Sequence, residues 1–337
     1  MARKMIILVL ALACGVFAPL PALARSPVVG VFDLLPTNEV PATPELAKPE
    51  VEGLSARFRW RTIQPRPDEY DWTLIDEALA RAREHGKKAM IRVTAGVHTP
   101  TWVYDLGAAS VTVDDNTVPV VWDPIYLLAW KNFISVLGSR YGNHADLLSL
   151  HMTGVGMFGE MSISLPGVDW PSYGYTDEKY VAAWITVINA YRQAFPQKPT
   201  HLAINPPFPG MVAAMVGVVH YCLSTYPREV LIQANDLRES GSAYSNAIRQ
   251  AGLRTWVGYQ MFGGREWQDA ETGDRATAFR KGLADGMVYT EVYQGDLQDE
   301  TLDAAVRKLA AGLILNSLRP LGRISLSPAI FLLLLGD

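Results

Sequence analysis

Short apolar segments alternate with longer amphipathic segments along most of this chain. The short segments are bounded by Gly, Pro or charged residues, which is typical of buried strands. Strands that alternate with helices predict an α/β fold with a parallel sheet. Eight strands with intervening helices predict a single (β/α)8 TIM barrel with loop insertions. The predicted strands are Val28–Asp33, Gly53–Trp60, Lys88–Thr94, Leu147–Val155, His201–Asn205, Val230–Ala234, Thr255–Gln260 and Met287–Thr290.

The segments between these strands predict helices. Thr73–His85 carries apolar or small residues at the spacing of one helix face, and Gly86 follows it as a C-terminal cap would. The last helix, predicted at Asp299–Ala311, would close the barrel. The remaining helices are predicted at Pro124–Tyr141, Asp177–Phe195, Met211–Tyr226, Ser242–Ala251 and Asp274–Leu283.

The two ends of the chain fall outside this pattern. Residues 1–24 predict a signal peptide, because Arg3 and Lys4 precede a short apolar stretch and a small-residue site ends at Ala24. An alternative is a lipoprotein anchored at Cys14. Either predicts an exported chain, periplasmic or secreted. The catalytic barrel is then expected at residues 25–311, followed by a tail of unknown role at 312–337.

Composition and motifs exclude several classes of function. The formal net charge of −4 argues against nucleic acid as a partner. The apolar stretches at the two ends are too short for an integral membrane span. The six histidines show no metal-ligand spacing, and no nucleotide-binding fingerprint or G-x-S-x-G motif occurs. We therefore expect neither a cofactor nor a metal.

Two glutamates each follow a predicted strand. Glu160 ends the run MTGVGMFGE, and Glu291 ends the run GMVYTE. Barrels of this class carry their chemistry at the carboxyl ends of the strands. Two carboxyl groups there suit glycoside hydrolysis, which needs one acid and one nucleophile or base. Glu160 has apolar neighbours that favour a protonated acid, whereas Glu291 lies between two tyrosines that could hydrogen-bond an ionised nucleophile.

Two other carboxylates are rivals for the nucleophile. Asp236 lies in QANDLRES after the sixth predicted strand, and Glu266 lies in FGGREW after the seventh. Asp236 is in any case expected at the substrate site. Each of these side chains, and Glu160 and Glu291 as well, could instead be an ordinary loop or strand-end carboxylate.

Further residues near strand ends are expected to bind substrate. Arg59 sits within a strand, where its charge needs a partner, and Asn205 could bind a sugar hydroxyl. Aromatic rings stack on the apolar faces of sugars, and we expect two or three of five such rings to face the cleft. These rings belong to Trp102, Trp170, Tyr259, Phe262 and Trp267. Tyr289 is expected to contact the Glu291 carboxylate.

Residues 51–103 resemble clan A glycoside hydrolases, particularly the group of family 42 β-galactosidases. The resemblance rests on Arg57 and Arg59 with Trp60, Ile63, Pro65, Tyr70-Asp71-Trp72, Gly86-Lys87-Lys88 and Thr99-Pro100-Thr101-Trp102. It implies a (β/α)8 barrel that cleaves glycosidic bonds in oligo- or polysaccharides.

Two departures from the clan pattern concern the predicted site. The clan's acid/base follows an asparagine after the fourth strand, whereas this chain has Gly159-Glu160. The clan's nucleophile follows the seventh strand, whereas Glu291 follows the eighth predicted strand. The sequence thus predicts an exported glycoside hydrolase, with Glu160 as acid/base and Glu291 as nucleophile of a retaining mechanism. The alternative is a barrel that binds a glycan without cleaving it.

Overall fold

The centre of the molecule is a closed barrel of eight parallel strands. A computed structural model describes residues 27–158, 160–265 and 267–321. The barrel strands follow one another around the barrel in chain order, and the last pairs with the first. This confirms the predicted TIM barrel. The strands are β1 (Gly30–Leu34), β2 (Val51–Arg59), β3 (Lys88–Thr94), β6 (Leu147–Met152), β7 (Thr200–Ala203), β8 (Val230–Leu237), β9 (Val257–Met261) and β10 (Tyr289–Tyr293).

Helices surround the barrel, and several begin at caps that the sequence supplies. Asp123 accepts the backbone N–H groups of Ile125 and Tyr126 and is followed by Pro124, the usual first residue of a helix. Thr176 and Asp274 cap two further helices in the same way. The helices are α1 (Trp60–Ile63), α2 (Thr73–Glu84), α3 (Thr101–Asp105), α4 (Pro124–Tyr141), α5 (Asp177–Ala194), α6 (Val212–Thr225), α7 (Ser245–Ala251), α8 (Asp269–Thr272), α9 (Arg275–Ala284), α10 (Gln294–Gln298) and α11 (Asp303–Ser317).

The last helix differs from its prediction at both ends. Asp299 caps a single 3-10 turn, so α11 begins four residues later than expected. It then continues past Ala311 to Ser317, because the buried Asn316 side chain donates to the carbonyls of Leu283 and Met287. The barrel domain therefore extends beyond the predicted boundary at residue 311.

A small antiparallel hairpin follows the third barrel strand and was not predicted. It consists of β4 (Ser110–Val113) and β5 (Asn116–Pro119), joined at Asp114, which has a positive φ of 51°. Polar and apolar residues alternate in SVTV, as is typical of a strand, whereas NTVP shows no such alternation.

Some predictions concern residues that the structure does not describe. They include the signal peptide at 1–24 with Cys14, residues 322–337 of the predicted tail, and Glu266. Within the described ranges, no helix is long and apolar enough to cross a bilayer.

Candidate active site

A cavity of about 970 Å³ opens at the carboxyl ends of the barrel strands. This is the end at which (β/α)8 barrels bind their ligands. All eight barrel strands, or the loops that follow them, contribute side chains to its wall. One such residue from each strand or its loop is Leu34, Arg57, Thr94, Glu160, Asn205, Asn235, Gln260 and Tyr293.

Glu160 lies on the cavity wall, after the fourth barrel strand β6. Its side chain is half-buried, and its Oε1 atom accepts a hydrogen bond of 2.6 Å from Nδ2 of Asn235. The neighbouring Met161 is buried, whereas Phe158 is 60% exposed. The residue therefore combines access to the cavity with a fixed orientation of its carboxyl group.

The glycines before Glu160 serve the protein chain itself. A Cβ atom at Gly156 would lie 1.3 Å from the carbonyl oxygen of Glu160, and one at Gly154 would lie 2.1 Å from Nε1 of Trp130. These two glycines allow the loop to fold tightly against itself and against α4, which sets the position of Glu160.

Glu291 lies inside the barrel and is fully buried. Its Oε2 atom accepts hydrogen bonds from Arg92 Nη2 at 2.9 Å and from Gln233 Nε2 at 2.6 Å. Its Oε1 atom accepts from the Ser55 hydroxyl group and lies 3.2 Å from His151 Nε2. Burial alone would raise the pKa of Glu291, but Arg92, His151 and Ser55 together hold that pKa well below its usual value.

The contacts of His151 determine its protonation. Arg92 can only donate, and its Nη2 lies 3.1 Å from Nδ1 of His151, so Nδ1 accepts. The proton of the neutral ring is therefore on Nε2, facing Glu291. Burial, followed by the charge of Arg92, lowers the pKa of His151 and keeps the ring neutral.

A second group of polar side chains lies next to Glu291 and its partners in the barrel interior. The ring of His201 stacks on that of His151 with centroids 4.6 Å apart. Nδ1 of His201 lies 2.7 Å from the Tyr289 hydroxyl oxygen, and its Nε2 lies 2.8 Å from the hydroxyl oxygen of Ser149. Tyr289 is fully buried. The prediction that Tyr289 belongs to the substrate site is therefore corrected, because its hydroxyl group pairs with His201.

One hydrogen-bonded chain joins the two predicted catalytic glutamates. Gln233 Nε2 donates to Glu291 and, at 2.7 Å, to Oδ1 of Asn235. Asn235 in turn donates to Glu160. Glu160 lines the cavity, whereas Glu291 lies behind Arg92 and Gln233 and is not exposed.

Two or three of the five candidate aromatic rings were expected to face the cleft, and two of them, Phe262 and Trp267, line the cavity. Trp267 is 49% exposed and packs edge-on against Tyr293. Tyr259 is fully buried and donates to Asp285, so its expected sugar contact is corrected. Trp170 is likewise buried and packs against Trp122.

Trp102 also differs from its prediction. Its ring packs edge-on against Trp60 at 5.8 Å, and its Nε1 donates to the carbonyl of Gln64 at 3.2 Å. It is the second residue of α3, whose backbone turns the ring toward the core cluster. Trp102 is thus a packing residue and not a sugar platform.

The two tryptophans should respond differently to truncation. Trp102→Ala should lower the free energy of unfolding by about 2–4 kcal/mol, because it leaves a cavity beside Trp60. Trp267→Ala should change stability little and weaken ligand binding instead. Urea denaturation and calorimetric titration with ligand measure the two effects, and weaker binding by a stable Trp102→Ala variant would restore the original prediction.

Three polar predictions have mixed outcomes. Asn205 lines the cavity and accepts a hydrogen bond of 2.9 Å from the Tyr244 hydroxyl group. Asp236 turns away toward Ser242 and the Ala243 amide, and burial raises its pKa. Arg59 ends β2 outside the described cavity wall, and its charge acts on His98, so the expectation that it binds substrate is corrected.

Several lining residues were missed by the sequence analysis. His98 bonds Thr94 through Nδ1 at 2.8 Å, and burial, with the charges of Arg61 and Arg59, lowers its pKa to about 4. Arg92 and Asn235 alternate with apolar residues in their strands. This period-two pattern of polar residues inside apolar strands was the available signal. Within the described part of the chain, no group of three or more His, Cys, Asp or Glu could hold a metal ion.

Comparison with known proteins agrees with this architecture. Residues 44–154 match the family model described as Glyco_hydro_42: Beta-galactosidase, which confirms the predicted resemblance. No curated protein sequence matches the chain. The crystal structure of β-galactosidase from the psychrophilic Marinomonas ef1 is similar, with a TM-score of 0.54 and 12% identity, over 86% of this chain and 59% of that one. This chain therefore spans about three-fifths of that relative.

Two further solved structures are more distant. An exo-β-1,4-mannosidase from Opitutaceae bacterium strain TAV5 gives a TM-score of 0.49 at 12% identity, over 87% of this chain and 60% of that chain. A psychrophilic family 10 endo-β-1,4-xylanase gives 0.48 at 13% identity, over 79% and 85%. At such identities the likeness to solved structures concerns the fold.

Proposed function

We propose that this protein, a (β/α)8 barrel similar to the family 42 glycoside hydrolases, hydrolyses O-glycosidic bonds with Glu160 as its acid/base. The observation that carries the proposal is the position of Glu160, on the cavity wall after the fourth barrel strand and held by Asn235. A glycosidic bond breaks when a carboxylic acid protonates the leaving oxygen. The aromatic rings of Phe262 and Trp267 supply apolar surface for a sugar in the same cavity.

The hydrogen-bond chain behind Glu160 defines which oxygen would carry its proton. The ionised Glu291 can only accept, so the NH2 group of Gln233 must face it. That NH2 group also donates to Oδ1 of Asn235, which directs the NH2 group of Asn235 to Oε1 of Glu160. Oε1 is therefore an acceptor, and the proton of the acid resides on Oε2.

For Glu291 we propose a positioning role. The sequence predicted that Glu291 attacks the substrate in a retaining mechanism. Its ionised state suits a nucleophile, but a nucleophile must touch the anomeric carbon, and no part of Glu291 is exposed. Its carboxylate instead holds Arg92 and Gln233 in place. The retaining course remains part of the proposal, and the carboxylate that attacks is identified by the labelling experiment given in the Discussion.

Leaving-group dependence tests the role of Glu160. Glu160→Gln should lower kcat/KM about 10³-fold for alkyl glycosides, whose leaving oxygen needs a proton, and far less for dinitrophenyl glycosides. A screen of nitrophenyl glycosides identifies the working sugar. Glu84→Gln on the exposed face of α2 is the matched control and should leave both rates unchanged. Equal losses for both leaving groups would remove Glu160 from the acid role.

A glycan-binding barrel without catalysis is the second candidate. The observation that favours it concerns the carboxylates of the cavity wall. Among the described residues these are Glu160 and Asp114, and Glu291 is not one of them. Asp114 is exposed on the β4–β5 turn. Binding of an oligosaccharide without turnover of any glycoside in the screen would favour this second candidate.

We also propose that the chain is exported. The support is the pattern of residues 1–24, which contain a basic start, an apolar stretch and the site ending at Ala24. Mass spectrometry of the protein from an expressing cell should find Arg25 at the N-terminus. A lipid on Cys14 or an uncleaved chain would contradict this.

A further inference from the structure

The cavity floor, defined here as Arg57, Arg92, Gln260 and Tyr293, carries more positive than negative charge. Two of its four residues are arginines, and the carboxylate next to it is Glu291. Glu160, which also lines the cavity, accepts a hydrogen bond from Asn235. Charges removed from water need partners, since an unpaired one costs several kcal/mol.

Arg92 is held within the protein through its two terminal nitrogens, while its buried Nε has no hydrogen-bond partner among the described residues. Its Nη2 donates to Glu291 and His151, and its Nη1 donates to Oε1 of Gln260 at 3.1 Å. Only 4% of its surface is exposed. Because Gln260 uses its oxygen for Arg92, its NH2 group is directed away, with Nε2 3.5 Å from the Tyr293 hydroxyl oxygen.

Arg57 is held differently: the side chain of Tyr293 and the charge of Glu291 both interact favourably with its guanidinium group. Its Nε and Nη2 donate to the carbonyl of Leu35 at 3.3 and 3.0 Å, and its Cζ lies 5.6 Å from the ring centroid of Tyr293. Across residues 27–158, 160–265 and 267–321, no carboxylate oxygen forms an ion pair with it. Burial lowers the pKa of Arg57, as expected for a cation withdrawn from water.

We infer that the cavity floor binds the carboxylate of an acidic sugar, a uronic acid residue, through Arg57. This inference rests on the proposed glycan-binding cavity and specifies its substrate class. The carboxylate of the ligand would balance the remaining positive charge. The two guanidinium groups, of Arg57 and Arg92, would then face two carboxylates, those of Glu291 and of the ligand. The NH2 group of Gln260 and the hydroxyl group of Tyr293 are further donors beside Arg57, and charged donors bind carboxylates more strongly than neutral ones.

Binding of matched ligands tests the inference without requiring turnover. The probes are the methyl glycosides of glucuronic and galacturonic acid, each beside its uronamide, which has the same shape without the charge. Calorimetric titration of the wild-type protein should show at least one acid binding about tenfold or more tightly than its amide. Equal affinities of acid and amide, or no binding of either acid, would overturn the inference.

Two variants locate the charge preference. Arg57→Gln should abolish the difference between acid and amide. Arg61→Gln removes the same charge from an exposed site nearby, outside the cavity wall, and should keep the difference. If Arg61→Gln also loses the preference for the acid, the overall electrostatic potential of the protein, and not Arg57, selects the acid. If Arg57→Gln does not fold, the comparison in the wild-type protein decides.

The outcome separates this inference from the proposed hydrolysis. Tight binding of a uronic acid without cleavage of any aryl glycoside, uronides included, would uphold the charge preference and refute the hydrolase. Cleavage of neutral aryl galactosides or glucosides, with acid and amide bound alike, would uphold the hydrolase and refute the charge preference.

Discussion

Replacing Glu291 with glutamine should lower the free energy of unfolding by about 3–5 kcal/mol. The Glu291 carboxylate is the partner of Arg92 within the barrel, and both side chains are almost completely removed from water. Glutamine cannot neutralise Arg92, so the guanidinium would be left charged and buried. Urea denaturation at pH 7 measures the loss, with Glu84→Gln as the control for removal of an exposed carboxylate.

A double variant separates the ion pair from general damage to the interior. Arg92→Met/Glu291→Met removes both charges and should lose less stability than the two single variants add up to. A fully additive loss would mean that the pair itself contributes little.

Chemical labelling decides whether Glu291 also attacks substrate. A dinitrophenyl 2-deoxy-2-fluoroglycoside of the working sugar traps the covalent intermediate of a retaining enzyme, and peptide mapping identifies the labelled carboxylate. We expect the label outside Glu291, and the map distinguishes the two rivals from the sequence, Asp236 and Glu266. A label on Glu291, together with a stable but inactive Glu291→Gln variant, would restore Glu291 as the nucleophile.

The protein should lose stability steeply in mild acid. Burial lowers the pKa of His151 and the pKa of His201 from the ordinary 6.5. The charge of Arg92 is the second cause for His151, and the interaction with His151 is the second cause for His201. Below pH 6.5 these histidines therefore bind protons in the unfolded chain while they remain neutral in the folded protein. Each such histidine costs up to about 1.4 kcal/mol for every pH unit between 6.5 and its lower folded-state pKa.

Glu291 extends this loss to lower pH. Its pKa is held well below 4.5 in the folded protein, so its contribution is present above pH 4.5 and is lost as the pH falls toward the folded value. Unfolding free energies measured by urea titration between pH 7.5 and 5 test the histidine part. His201→Asn should reduce the slope, and a flat profile in the wild-type protein would contradict the neutral assignment.

The sequence predicted the barrel well because each strand and helix carries its own local signal. Pro124–Tyr141 and Lys88–Thr94 begin and end where the structure has them, since caps, glycines and apolar runs mark their ends. The β4–β5 hairpin was missed because its strands are short and lie inside a loop. Asp299–Ala311 was shifted because the cap at Asp299 starts a 3-10 turn and not the helix.

The site was predicted less well because it depends on where side chains from distant strands meet. Glu160 and Asn205 follow strands and reach the cavity, as expected. Tyr259, in the middle of β9, instead donates to Asp285, and Trp102, the second residue of α3, packs against the core. Successive side chains of a strand point to opposite faces. An error of one residue in the assumed orientation therefore places a core side chain in the cavity, or the reverse. The partners of Glu291 come from four other strands, and no short sequence motif brings them together.

The polar interior has a consequence for how such a barrel can change during evolution. Barrel interiors filled by branched apolar side chains tolerate exchange of one such residue for another. Here Ser55, Arg92 and Gln233 donate hydrogen bonds to the carboxylate of Glu291, and Nε2 of His151 lies 3.2 Å from it. Substitution of any one of these residues leaves a buried charge or hydrogen-bond donor unsatisfied. Sequence change at these positions therefore requires two or more substitutions together. Relatives of this protein should therefore vary at these five positions together, as alternative complete sets.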